Sequence, residues 1–388
     1  MRVAIVADGA YPYVKGGVEQ RYHSLANSLV ARGHEVDWYT MKYWDGAPVM
    51  IAEGIRYIGI CRPQSLYSGR RRSILEALTF GLACLRLLGR SERYDVVDCS
   101  QYPFFNVLAM WLVARRWRSA LIVSWYETWG GHWREYLGVW GVVGRQIERW
   151  CARLPQCLVV VSEQALARLE TEGLKPRRAV HVPLGVDCAR IGRVPMAPDR
   201  VDVIYFGRLK NHKNVDILLR AVALLRAAGH AVRALIVGDG PEAGSLKALA
   251  QELALDGAVQ FRGAVESSDE LMSLVKAARL FVHPSTKEGG GSTATLEANA
   301  CGTPTIAVDH PLGIDKSLIE EGVNGFWVRP LSAKVLADHV LRALYDPRLD
   351  GELRQAALQR SQAFDLAAVA TRIEALYLQL ADPSHTRA

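Results

Sequence analysis

"LFVHPSTKEGGGSTATLEANACGTPTIAV", Leu280 to Val308, decides the fold. Its ends, "LFVHPS" and "TPTIAV", are short apolar runs of strand length, and a helix begins between them near Ser292. The middle is unusual. Glu288 and Glu297 flank three glycines, Gly289, Gly290 and Gly291, and a run of small hydroxyl residues. Ser292 or Thr293 suits the N-cap of the helix that carries Glu297. A triglycine before a helix start is expected to present backbone N–H groups to a phosphate or a sugar hydroxyl. Carboxylates at either end would accept hydrogen bonds from vicinal hydroxyls. A glycine loop with two solvated glutamates is the plainer alternative.

The same alternation runs outward in both directions. Before it come "VAIVAD" (Val3–Asp8), "EVDWYT", "YDVVDCS", "SALIVSW", "CLVVVS" and "AVHVP", with helical stretches between them, the first closing at Gly33. "RIGRVPMAPDR" (Arg190–Arg200) has two prolines and no periodicity, and reads as a linker. The pattern then restarts with "VDVIYFG", "VRALIVGDG", "VQFRGA" and the opening stretch. Strands alternating with helices give parallel sheets wrapped by helices. The expected fold is α/β: two doubly wound, Rossmann-like domains facing each other across a cleft. A chain of 388 residues exceeds what one core usually serves, which agrees with two domains. Ligands on such sheets bind beyond the carboxyl ends of the strands, so the loops there are where chemistry is sought.

Composition narrows the class. Hydrophobic residues make up 50%, so the chain folds rather than staying disordered. "FFNVLAMWLVA" (Phe104–Ala114) is the longest apolar run and is too short to span a bilayer. The N-terminal apolar run is too short for a signal peptide. Seven scattered cysteines without C-x-x-C argue against a disulfide framework and a zinc site, and point to the cytoplasm. Residues 1–190 hold 25 Lys and Arg against 17 Asp and Glu, a net of +8, while the remainder is −1. That excess would suit phosphates, an acidic substrate or an anionic membrane, or would simply be solvated arginine. Its densest runs are "GRRR" (Gly69–Arg72) and "ARRWR" (Ala114–Arg118). No nucleic-acid motif accompanies it, so no nucleic acid is expected as partner.

Two further loops carry candidates. In "DGAYPYVKGGVEQ", Gly16 and Gly17 open a helix whose N-terminus would suit an anion; a plain glycine turn is the alternative. Neither G-x-G-x-x-G nor a P-loop is present, so a dinucleotide fold and a P-loop enzyme are unsupported. In "FGRLKNHKN", Arg208 and Lys213 follow a strand and would suit a diphosphate, or be solvated.

Taken together, "GGVE", "GRLKNHKN", "VGDGPE", "VQFRGAV", "FVHPS", "LEANACGTPTIA" and "EEGVNGFWV" resemble, in order and over nearly the whole chain, the retaining GT-B glycosyltransferases of the group 1, glycogen-synthase-like family (glycosyltransferase family 4 type). The resemblance implies a hexosyltransferase, and the absence of any D-x-D predicts that it requires no divalent metal. Its donor would be a nucleoside diphosphate sugar, UDP- or GDP-linked, with no other cofactor. Its acceptor would be a hydroxyl of a glycan, a lipid-linked or a small-molecule acceptor. Arg208 and Lys213 would clamp the diphosphate, and Glu288 would lie by the donor sugar, the three forming the catalytic set. Glu297 would bind the ribose hydroxyls. Gly16, Gly17, Gly289, Gly290, Gly291, Ser292 and Thr293 would line the sugar and phosphates, and Arg262, Gly263 and Val265 the base. The domains would span 1–190, on the acceptor side, and 196–363, with a C-terminal helix at about 364–381 returning to the first.

Two departures stand out. Eight residues separate the glutamates where the family has seven, which triglycine backbone could absorb. Tyr126 stands where many relatives carry a histidine near the reaction centre. Tyr126, Glu127 and His132 are then acceptor-side candidates, with His132 supplying an imidazole or merely capping a loop. Trp111, Trp117, Trp125, Trp129, Trp133, Trp140 and Trp150 crowd the same region among arginines. They would be core, sugar platforms, or a peripheral contact with the inner face of the cell membrane. No pyridoxal-phosphate lysine motif speaks for a phosphorylase. A non-catalytic nucleotide-sugar binder and a sugar-nucleotide epimerase are the competing readings.

Overall fold

The computed structural model describes residues 1–14, 16–64, 67–68 and 71–382. The chain divides into two compact units: Met1–Pro183 with the chain from Leu366 onward, and Leu184–Asp365. The basic run Gly69–Arg72 lies partly outside the described residues.

Unit 1 begins β1 (Arg2–Val6), α1 (Gly17–Ala31), β2 (Glu35–Met41), β3 (Val49–Ala52) and β4 (Ile55–Cys61). A short strand pair, β5 (Tyr67–Ser68) and β6 (Arg71–Arg72), leads to α2 (Ile74–Leu85), β7 (Val96–Ser100) and α3 (Phe105–Trp117). Then come β8 (Ala120–Trp125), α4 (His132–Leu137), α5 (Gly141–Arg153), β9 (Cys157–Val160), α6 (Glu163–Thr171) and β10 (Ala179–His181). Among the described residues the main sheet runs β10-β9-β8-β7-β1-β2-β4-β3. Every pair in it is parallel except β3 with β4. Strand order reverses around β1, so the loops after β1 and β7 open at the switch point. Trp117, Trp125 and Trp133 are core residues, Trp111 and Trp129 are partly buried, and Trp140 and Trp150 are exposed.

The β3–β4 hairpin escapes the strand pattern of the sequence. Its turn, Glu53–Gly54, has φ of 54° and 77° at its two central residues, the geometry of a tight type I′ turn. Glu-Gly lacks the Asn-Gly or Asp-Gly signature that announces such a turn.

Unit 2 starts with α7 (Cys188–Arg193), which runs into the stretch Arg190–Arg200 expected to be linker. Asp187 caps it, accepting a hydrogen bond from the Arg190 N–H at 2.8 Å, and this local cap overrides the weak propensity of "RIGR". There follow β11 (Val201–Phe206), α8 (Val215–Ala227), β12 (Ala234–Val237), α9 (Ala243–Glu252), β13 (Val259–Gly263), α10 (Ser268–Ala277), β14 (Ala278–His283), α11 (Thr293–Ala300), β15 (Thr305–Val308), β16 (Gly325–Val328), α12 (Ala333–Leu344) and α13 (Arg354–Gln362). Its parallel sheet runs β13-β12-β11-β14-β15-β16, with the switch point between β11 and β14. The loop of the opening stretch therefore sits beside the loop carrying Arg208.

The chain ends by returning to unit 1 as α14 (Leu366–Ala381). Tyr377 of α14 is fully buried and donates its hydroxyl to Asp98 at 2.5 Å, while Glu374 accepts from the Arg32 guanidinium at 2.6 Å. No helix among the described residues is long and apolar enough to cross a membrane.

Candidate functional site

In unit 2 the Arg208 loop is fixed by backbone-to-backbone contact. Gly207 donates its N–H to Val237 O at 3.0 Å, and Leu209 to Asp239 O at 2.9 Å. A Cβ on Gly238 would lie 2.0 Å from Gly207 O, and Gly238 has φ +135°, so only glycine fits. Arg208 is exposed at the loop crest. The 3₁₀ turn Asn211–Lys213 then leads to Asn214, whose amide donates to Pro284 O at 2.9 Å and Thr286 Oγ1 at 3.2 Å. These bonds lock the β11 loop to the β14 loop.

That lock delivers Lys213 to Glu288. The ammonium of Lys213 pairs directly with Glu288 Oε1, and His283 Nε2 lies 3.1 Å from the same oxygen. Nδ1 of His283 lies 3.1 Å from Thr295 Oγ1, and Ser292 Oγ is 3.0 Å from that hydroxyl. All this sits at 17% exposure for the Lys213 side chain and 12% for Glu288. Burial pushes the Glu288 carboxyl up, but the His283 imidazole and the Lys213 ammonium outweigh it and hold the carboxyl well below the usual range. Glu288 is therefore an ionised carboxylate with a cation already beside it.

The triglycine behaves differently from expectation. Gly289 and Gly290 have φ of +66° and +98°, which suits glycine alone. Their N–H groups are not presented outward. Gly289 donates to Leu312 O at 3.3 Å and Gly290 to Gly313 O at 3.1 Å, and Asp315 returns a bond to Gly290 O at 2.7 Å. The loop forms a bridge to the segment after β15, and backbone groups beside a neighbouring chain pair with it. Ser292, not Thr293, is the N-cap of α11, accepting from Thr295 N–H at 3.2 Å.

Glu297 lies one turn into α11 and is partly buried. Burial pushes its carboxyl up to about 7, against the pull of the Arg190 guanidinium. Arg262 projects from the edge strand β13, exposed, and pairs with Glu270 at 2.9 Å; Gly263 has φ +77° and accepts from Gly238 N–H at 2.8 Å, and Val265 is half-buried beyond it.

Unit 1 carries its own candidates at the corresponding strand ends. Gly16 is the N-cap of α1 and Gly17 its first residue. The helix start faces a carboxylate of its own chain: a Cβ on Gly16 would lie 2.2 Å from Glu19 Oε2, and one on Gly9 2.7 Å from Glu19 Oε1. An acid in the first turn complements the helix dipole, and the Glu19 carboxylate lies against the glycine loop. Tyr126 and Glu127 are held by Gln101, whose amide oxygen accepts both backbone N–H groups at 2.9 and 3.2 Å. His132 pairs with Glu135 at 2.6 Å at the start of α4 and packs against Trp129.

Two residues of unit 1 escaped the sequence reading, as His283 did in unit 2. Asp98 is fully buried and accepts from the hydroxyls of Tyr22 at 2.9 Å, Ser124 at 3.0 Å and Tyr377. Beside it, Arg21 donates to Ser124 Oγ at 2.8 Å and reaches Tyr126 OH at 3.4 Å, while its Nε and Nη2 are buried without a hydrogen-bond partner. Burial works against the Arg21 charge; Tyr126 and Asp98 more than restore it. Arg21 reads in sequence as a polar helix residue and His283 as the end of a core strand, so neither announces its partners. Among the described residues no three His, Cys, Asp or Glu side chains are grouped to hold a metal ion.

Two doubly wound units of this kind, with loops at their switch points, have the GT-B architecture. Residues 15–190 match the family model described as Glycosyltransferase Family 4, and residues 193–360 the model described as Glycosyl transferases group 1. The chain belongs to the group 1 glycosyltransferases. It is 27% identical to a glycogen synthase of Mycobacterium tuberculosis over 97% of this chain and 94% of that one. In structure it is similar to sucrose-phosphate synthase from Thermosynechococcus elongatus, with TM-score 0.80, 23% identity and 98% of each chain covered. The Anabaena protein HepE in complex with UDP-glucose aligns with TM-score 0.73 and 20% identity, over 98% of this chain and 100% of that one.

Proposed function

We propose that the protein transfers a hexose from a UDP- or GDP-sugar to an acceptor hydroxyl with retention at the anomeric carbon, without a divalent metal. The observation that carries this reading is the Lys213–Glu288–His283 cluster at the switch point of unit 2. A cation and an ionised carboxylate held together can act on opposite charges as they develop. As the bond from the anomeric carbon to the diphosphate oxygen breaks, Lys213 and Arg208 stabilise the charge on the leaving phosphate. Glu288, kept ionised by its partners, stabilises positive charge on the sugar. The acceptor oxygen bonds to the anomeric carbon on the face that the phosphate leaves, and a phosphate oxygen takes its proton. Glu297 accepts from the ribose hydroxyls. Gly291, Ser292 and Thr293 line the donor, and Arg262, Gly263 and Val265 flank the base. Unit 1 supplies the acceptor side, with Tyr126, Glu127 and His132.

Release of nucleoside diphosphate tests it. Neutralising Lys213 or Arg208 is expected to lower turnover by about 100-fold or more, the scale for losing one donor to developing charge. Excess EDTA is expected to leave wild-type turnover standing. Activity within a few-fold of wild type in both Lys213→Ala and Arg208→Ala, or activity lost on chelation and restored by magnesium, would remove the clamp.

A further inference from the structure

Unit 1 contains a cavity that the transfer chemistry above does not use. It has a volume of about 370 Å³ and lies among α2, α4, α5 and the start of α3. Its walls are hydrocarbon. Phe104, Trp133, Trp140, Val143 and Ile74 are among the residues that line it. The polar atoms of the wall are turned elsewhere. Trp133 Nε1 donates to Glu148 at 2.9 Å, Trp129 Nε1 to Tyr102 OH at 2.7 Å, and Ser73 Oγ caps α2. Gly144 has no side chain because the Trp133 ring takes its place: a Cβ there would lie 2.2 Å from the ring.

The mouth of the cavity is apolar as well. Ile74, Trp140 and Val143 both line it and stand exposed, Trp140 at 70%. Leu75 and Leu78 on α2 continue the patch on one side, Val139 and Val142 on the other, all exposed. A contiguous apolar patch of this kind marks an interaction site. The surrounding charge is one-sided. Helices α4 and α5 carry Arg134, Arg145, Arg149 and Arg153, and Arg86 follows α2. Arg145 is paired with Glu172 at 3.2 Å, while of the carboxylates on α2, α4 and α5 Glu76 and Glu148 are buried and Glu135 alone is exposed, paired with His132. A basic rim repels a second copy of itself across a two-fold axis, and attracts an anionic surface. Tryptophan at the edge of an apolar patch suits the boundary between lipid and water.

We propose that this cavity takes the hydrocarbon chain of a lipid-linked acceptor whose anionic headgroup lies in a membrane surface. The proposal rests on the glycosyltransferase reading and names its acceptor class. At ~30 Å³ for a group the size of a water, the cavity holds about a dozen methylenes. Arginines on α4 and α5 hold the headgroup side, and the apolar lip of α2 and α5 rests on the lipid.

Octyl, decyl, dodecyl and hexadecyl phosphate, each below its micelle concentration, are titrated by calorimetry into wild type and Val143→Asp. Burial of each pair of methylenes is expected to tighten binding about 15-fold, from ~0.8 kcal/mol per CH₂, and the gain should level off past about a dozen carbons. Val143 is exposed, so the variant should fold, and it should bind dodecyl phosphate at least about tenfold more weakly. Wild type should sediment with phosphatidylglycerol vesicles but not with phosphatidylcholine vesicles, and Val143→Asp with neither. UDP and GDP binding is measured on the same samples. Nucleotide binding without any chain-length dependence overturns the cavity assignment alone. Chain-length dependence without nucleotide binding upholds the cavity and sinks the transferase reading. Alkyl binding with no vesicle sedimentation overturns the membrane source. Concentration-dependent dimers that Val143→Asp disperses, with no alkyl binding, make the patch a self-association face and overturn the proposal.

Discussion

Glu288 and Glu297 begin as twins in one loop and end with opposite electrostatics. Glu288 touches two basic side chains and is held ionised; Glu297 has only the more distant pull of Arg190 and is pushed up to about 7 by burial. Near neutral pH, Glu297 is therefore partly protonated before ligand arrives. In the proposed role of Glu297, ribose hydroxyls donate hydrogen bonds to it and so prefer its ionised form. Binding must then release a proton, and affinity should rise as pH goes from about 6 to 8, through the raised pKa. The sign is fixed: below pH 6 the carboxyl must be deprotonated at a cost, and above 8 it is already charged. Calorimetry of UDP and GDP in buffers of different ionisation enthalpy measures the proton count. Glu297→Gln should flatten the pH dependence, and Glu297→Ala should weaken binding by about 1–3 kcal/mol, the cost of leaving hydroxyl partners unmatched. A folded Glu297→Ala variant with unchanged affinity would take Glu297 out of the donor site.

Elements explain which parts of this site could be read from the chain. The parallel strands were legible because β1, β8 and β9 are buried on both faces and so read as unbroken apolar runs. Strand β3 is half-exposed and its turn has no announcing dipeptide, so it was not. Loop positions of Arg208, Lys213 and Glu288 follow from strand ends. The pairing of Lys213 with Glu288 does not, because it depends on Asn214 crossing between two loops 70 residues apart in sequence. Nor does the engagement of the Gly289 and Gly290 N–H groups, which depends on where Leu312 and Gly313 fall. The contact of Gly238 with Gly207 is the sharpest test at this scale. Alanine there brings both a backbone clash and a strained φ, so Gly238→Ala should cost about 1–3 kcal/mol of unit 2 stability. It should also displace the Arg208 loop, and with it weaken nucleotide binding. Urea unfolding and calorimetry read the two effects. A variant with wild-type stability and affinity would show that the loop tolerates the shift.

At the scale of the whole molecule the two units differ in how the chain builds them. Unit 2 is one continuous stretch, Leu184–Asp365, with a core of its own around Tyr205, Leu218 and Leu280. Unit 1 is discontinuous and is completed only when α14 arrives. That helix places Val369, Ile373, Leu376 and Tyr377 in the core beside Tyr22 and Trp38. At about 1.5–3 kcal/mol for each large side chain, burial of these four contributes roughly 6–12 kcal/mol. A folded domain is stable by only about 5–15 kcal/mol in all. Loss of Tyr377 also leaves Asp98 with one donor fewer in a buried site, where an unmatched carboxylate is costly. Ending the chain after Asp365 should therefore unfold unit 1 and spare unit 2. Hydrogen exchange separates the two outcomes, since protection reports each cooperative unit by itself. Amides of β1, β7 and β8 should exchange at the unfolded rate in the shortened chain, while those of β11, β12 and β14 keep their protection. If protection in β7 and β8 survived, α14 would be an accessory to unit 1 and not part of its core.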